Sequence, residues 1–125
     1  MHGLAAPLGG TIAIPHGSAC ARLLPLVMEA NLRALNARAM HSPALARYDE
    51  VARLVTGSNS ARAGDGVDWI KSLVSALLIP KLAVLGLSEA DVPLIVRKAL
   101  ASSSMKGNPV QLTPEELTEI LEKAL

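Results

Sequence analysis

The sequence predicts an all-α fold of about five or six helices, and three observations predict it. Half of the 125 residues are hydrophobic, yet Phe is absent and Trp and Tyr occur once each, so the apolar mass is Leu, Ala and Val. Leu and Ala favour helices, whereas sandwiches and barrels draw on aromatics. No stretch alternates apolar and polar residues long enough to read as a strand. Helix-start chemistry recurs instead, most clearly in Thr113-Pro114-Glu115-Glu116, with a capping hydroxyl, Pro at the first helical position and Glu at the third. A chain of this length suits one domain and can bury roughly two-thirds of its unfolded surface.

Residues 2–8 read as the last turns of a helix, ended near Pro7 and Gly9-Gly10. Residues 11–15 are a loop. A helix then runs from about Pro15–Gly17 to about Arg38; its apolar positions cover more than one narrow stripe, so it is expected at the centre of the fold. Ser42-Pro43 opens a helix over 43–56, with Leu45, Tyr48, Val51, Ala52 and Val55 at helical spacing. Gly57 to Gly64 is a loop. Residues 65–78 form the next helix, ended by Ile79-Pro80. After a short connection over 82–87, Ser88 caps a helix whose stripe is Val92, Ile95, Val96 and Ala99. Residues 102–109 are a polar loop. The last helix, capped by Thr113, presents Leu117, Ile120, Leu121 and Ala124.

Composition excludes several classes. The formal net charge is +1, which gives no electrostatic case for a nucleic-acid partner or an acidic membrane surface. No apolar stretch approaches the ~20 residues that span a bilayer. The single Cys20 cannot form an internal disulfide, which points to a cytoplasmic setting.

The candidate chemistry lies at the start of the chain. His2 and His16, two of the three histidines, stand fourteen positions apart with Pro7, Gly9 and Gly10 between them. The helix break puts them on no common helix face, but a turn of the chain could bring them together. Neutral imidazoles suit Zn, Fe, Ni or Cu ions, and a metal site needs three or four protein ligands. No acidic residue precedes Glu29, and Cys20 is expected on the buried side of the central helix, so the segment supplies at most half a site. On spacing alone, a terminal histidine beside an ordinary helix-start histidine is the better explanation of the pair.

His2-Gly-Leu-Ala-Ala-Pro-Leu-Gly-Gly with Pro15-His16-Gly resembles the second signature of the iron-containing (group III, metal-dependent) alcohol dehydrogenases. The resemblance continues through Ala21 to Asn31, Arg47 to Ala52, Ile79-Pro80, Met105 to Pro109 and Leu112 to Glu116, in order and over nearly the whole chain. It implies the C-terminal helical domain, of the dehydroquinate-synthase-like type, of an NAD(P)-dependent enzyme. In that family one Asp and three His hold a divalent ion, iron or zinc, between this domain and an N-terminal dinucleotide domain. His2 and His16 match the third and fourth ligands. The Asp, the first His and the whole dinucleotide domain would precede residue 1, so residues 1–125 are expected to form a single metal-binding domain, a fragment or a truncated gene product.

One departure stands out. Where the alcohol-dehydrogenase branch often has a proton-relaying His, this chain has Ala6, which leaves the substrate class open. Ser104 falls where the family lines its substrate pocket. His41 matches nothing in the signature and reads as a surface residue, Lys106 as a solvated lysine, and Arg22, Asn31 and Asp49 as structural. The chain has no Gly-rich phosphate turn after a strand, so alone it is expected to lack catalysis and to bind metal weakly or not at all. It is expected to self-associate through the exposed cleft face, including the 9–17 and 102–109 loops. A non-catalytic helical interaction module derived from the family is the alternative.

Overall fold

A computed structural model describes all residues, 1–125. It holds six α-helices and no strand: α1 His2–Thr11, α2 His16–Arg38, α3 Pro43–Thr56, α4 Ala63–Ala76, α5 Val92–Ala101 and α6 Pro114–Ala124. Two short 3₁₀ turns, Glu89–Asp91 and Ser103–Gly107, precede and follow α5. None of the helices is long and apolar enough to cross a membrane.

The 23-residue α2 is the central element, packing against α1, α3, α4 and α6. It buries Ala19, Leu23, Val27, Ala30, Ala34 and Leu35, while α1 buries Leu4, Ala5 and Leu8. The stripes expected on α5 and α6 are buried in full, and Leu82, Leu87 and Leu112 close the same core from the connections. Burial of each such large side chain contributes about 1.5–3 kcal/mol. The α3–α4 pair packs against α2 beside this cluster, with α3 burying only Ala52.

Local signals explain the helix starts. The Ser42 hydroxyl accepts from the Ala44 amide at 3.2 Å, with Pro43 at the first helical position. Thr113 and Glu116 exchange bonds: the Glu116 amide donates to Thr113 Oγ1 at 3.2 Å and the Thr113 amide to Glu116 Oε2 at 2.8 Å. Gly57 ends α3 in the left-handed region at φ 71°, where a side chain is strained.

The structure corrects four boundaries. First, α1 runs from His2 through Pro7, Gly9 and Gly10 to Thr11, instead of ending at about residue 8 near Pro7 and Gly9-Gly10. An interior Pro costs about 3 kcal/mol and a helical Gly about 1 kcal/mol. Burying Leu4 and Leu8 offsets this by about 3–6 kcal/mol. Second, α4 starts at Ala63, two residues before the expected position, because Asp65 accepts from the Arg62 amide at 2.8 Å. It ends at Ala76, leaving Leu77 and Leu78 exposed. Third, Ser88 caps a 3₁₀ turn through Asp91, and α5 proper begins at Val92. Fourth, the polar stretch 102–109 contains the 3₁₀ turn Ser103–Gly107, started by the Ser102 hydroxyl accepting from the Ser104 amide.

Candidate metal centre

His2 opens α1 and His16 opens α2, and the extended linker 12–15 turns the chain so that the two helices pack together. The imidazole rings stack, with centroids 5.5 Å apart and planes 8° from parallel. Both side chains are exposed. The pair expected from the sequence therefore meets in space, from two different helices.

A third group joins them. Cys20 lies one helical turn after His16, on the same face of α2. Its Sγ is 3.4 Å from His16 Nε2 and 3.9 Å from His2 Nδ1. The candidate ligand atoms of His2, His16 and Cys20 all lie within 4.8 Å of one another. Tetrahedral zinc bonds of about 2.0–2.1 Å to nitrogen and 2.3 Å to sulfur imply ligand–ligand edges of about 3.3–3.6 Å. The shorter sulfur distance falls in that range and the longer just beyond it, so the three residues are close enough to share a zinc-type ion once one of the stacked rings turns. Cys20 is half-buried at the edge of the core, not wholly on the buried side of α2 as the sequence suggests, and burial pushes its thiol pKa up. The spacing His16-x-x-x-Cys20 is the sequence signal that could have revealed it.

The turn Ser103–Gly107 docks against α1 through Gly3, where any Cβ would overlap the Met105 side chain. This close approach brings His2 and Ser104 to one cavity of about 220 Å³, which Met105, Gly107 and Asn108 also line. Ser104 is exposed at its rim. Ala6 is exposed one turn along α1 from His2 and offers no titratable group.

Behind this cavity, Asn108 and the buried Asn31 form an amide pair. Asn31 Nδ2 donates to Asn108 Oδ1 at 3.1 Å, and Asn108 Nδ2 donates back to Asn31 Oδ1 at 2.7 Å. Asn31 also donates to the Tyr48 hydroxyl at 3.0 Å, and Asn108 to the Val110 carbonyl at 2.7 Å. Burial pushes the Tyr48 phenol pKa up, and the bond from Asn31 acts against that shift. The structural roles expected of Arg22 and Asp49 hold as well: Arg22 Nε donates to the Ala124 carbonyl at 3.4 Å, and Asp49 accepts from the Ala63 amide at 2.8 Å. His41 sits exposed in a turn, and Lys106 is exposed. A larger groove of about 500 Å³, lined in part by Glu29, Arg33, Asp49 and Arg62, contains none of the three candidate ligands.

Residues 1–125 match the family model described as Fe-containing alcohol dehydrogenase family, C-terminal. Alcohol dehydrogenase 4 of Saccharomyces cerevisiae is 32% identical over 125 residues, covering 99% of this chain and 31% of that protein. Lactaldehyde reductase of Escherichia coli is 31% identical over 130 residues, covering 99% of this chain and 32% of that protein. An archaeal halo-thermophilic alcohol dehydrogenase from a Red Sea brine pool superimposes with a TM-score of 0.84 at 28% identity, covering 99% of this chain and 32% of that one. The chain thus spans just under a third of the length of the curated relatives it matches.

Proposed function

Since the chain belongs to the Fe-containing alcohol dehydrogenase family and corresponds to its C-terminal domain, we propose that it carries the metal-binding side of an NAD(P)-dependent alcohol dehydrogenase, with His2 and His16 as ligands. The observation that carries this reading is the meeting of the two imidazoles from separate helices, 5.5 Å apart. A divalent ion, iron or zinc, bound there would supply Lewis-acid polarisation of an alcohol or carbonyl oxygen. His2 and His16 would hold the ion as neutral donors and take no part in proton transfer. Ser104 lines the cavity next to His2, where its hydroxyl would orient the substrate hydroxyl, with the Ser103–Gly107 turn forming one wall and Asn108, held by Asn31 and Val110, packing beside it. Ala6 can neither accept nor donate a proton, so any relay in this protein must run through other groups. In this reading residues 1–125 act as one domain, in the cytoplasm, and the nicotinamide is bound by a dinucleotide domain outside these residues.

Calorimetric titration of the chain with Zn²⁺ and Fe²⁺ tests the assignment. Binding should weaken in both His2→Ala and His16→Ala; unchanged affinity in the two variants would exclude these residues as ligands.

A second reading, a non-catalytic association module, draws on the exposed Val51, Leu54, Trp69, Leu73, Leu77 and Leu78. These lie on α3, α4 and the turn after α4, not on the 9–17 and 102–109 loops. Metal-independent dimers seen by light scattering would favour that reading.

A further inference from the structure

We propose that Cys20 is a third metal ligand, so that this chain carries a His2–His16–Cys20 site selective for thiophilic ions such as zinc. The inference rests on the reading of His2 and His16 as ligands and adds a residue and a metal preference to it.

Three features of the structure support it. Cys20 Sγ faces both imidazoles, at 3.4 Å from one and 3.9 Å from the other. It reaches them from the second turn of α2, because His16 and Cys20 are four residues apart on one helix face. The sulfur is half-buried while the two imidazoles are exposed, so an ion has open access to all three. Zinc sites draw on three or four protein donors, so a third donor beside His2 and His16 strengthens the part of the site these residues supply.

The donor set also bears on which ion binds. Thiolate favours zinc and copper(I) over harder ions, and zinc outranks iron(II) in affinity for nitrogen and sulfur donors. With Cys20 included, the three donors favour zinc over ferrous iron. On binding, the Cys20 S–H bond breaks and an S–metal bond forms; the proton leaves to solvent, and neither sulfur nor metal changes oxidation state.

Cobalt(II) serves as the spectroscopic probe and zinc as the affinity probe, both with the intact chain. The wild type should show a sulfur-to-cobalt charge-transfer band that Cys20→Ala and Cys20→Ser lack. Zinc affinity in Cys20→Ala should fall by at least the roughly 10–100-fold that loss of a mere supporting partner costs. Bound zinc should also slow alkylation of Cys20 by iodoacetamide. Helical circular dichroism of each variant checks that it remains folded. If the charge-transfer band is missing and Cys20→Ala binds zinc as tightly as wild type, the Cys20 assignment fails. The reading of His2 and His16 survives that result provided their own alanine variants still lose affinity. If those variants bind normally too, or the wild type binds no zinc, both assignments fail.

Discussion

Two imidazoles stacked nearly parallel cannot share an ion as they stand. Each ring nitrogen offers its lone pair in its own ring plane, and the stacked planes of His2 and His16, 8° from parallel, do not meet near the rings. Loading the site therefore requires at least one ring to turn, which their exposure permits. Zinc titration followed by NMR should shift the ring-proton resonances of both histidines as the mutual ring-current effect is lost; resonances unmoved at saturating zinc would count against a shared ion. Deeper in the fold, Asn31 is the single buried polar side chain, at 2% exposure. Asn31→Ala removes its bonds to Asn108 and to the Tyr48 hydroxyl, which should cost about 1–3 kcal/mol, measurable by urea denaturation. The histidine pair was legible in the sequence because the residues around it resemble a known signature. The approach of Cys20 to His16 is encoded in their i, i+4 spacing on α2, but its approach to His2 depends on where α1 lies across α2, which no local pattern encodes.

Helices opened by a capping hydroxyl and a Pro were legible to within a residue or two, as α3 and α6 show. The failures came where tertiary burial competes with local signals. Pro7 and Gly9-Gly10 read as breakers, yet α1 continues because Leu4 and Leu8 are buried beneath it. Contact between α3 and α4 depends on Gly66, where an added Cβ would stand 2.9 Å from Ala52 Cα. Backbone, unlike a flexible side-chain end, yields little, so Gly66→Ala should destabilise the fold by about 1–3 kcal/mol, read as a lowered urea midpoint. Removing the cap with Thr113→Ala should cost about 1 kcal/mol by the same measurement.

Between α2 and α6, Arg33 pairs with Glu119 through both carboxylate oxygens, at 3.0 and 2.7 Å, and Lys123 adds a bond to Glu119 at 2.7 Å. These bonds, that from Arg33 foremost, hold the Glu119 pKa down, from 4.5 to about 2. A depressed carboxylate pKa stabilises the fold above its unfolded value, and the benefit is lost as pH falls through the folded one. Stability of the wild type should thus fall more steeply below pH ~4.5 than that of Glu119→Gln, and added salt should narrow the difference because the pair is exposed. Equal acid sensitivity of the two proteins would remove Glu119 from the account.

The molecule as a whole divides its apolar residues unevenly. Around α2 they form one buried cluster, whereas Leu54, Leu73, Leu77 and Leu78 on the α3–α4 side are 38–86% exposed. Trp69, Leu73 and Leu77 recur at every fourth residue and so share one helix face. Exposed apolar surface of this kind favours association. Light scattering at rising concentration should show self-association of the wild type and a monomer for the double variant Leu73→Lys, Leu77→Lys; equal behaviour of the two would move the contact elsewhere. The His2–His16 stack also has a consequence for folding. Its two donors belong to separate helices, so they meet only when α1 is docked on α2, and an unfolded chain offers no such site. An ion held there is linked to the folding equilibrium by mass action, worth about 2.7 kcal/mol at a free concentration one hundred times its Kd. The melting temperature then becomes a gauge of how much metal the protein carries, and a chelator acts as a mild denaturant.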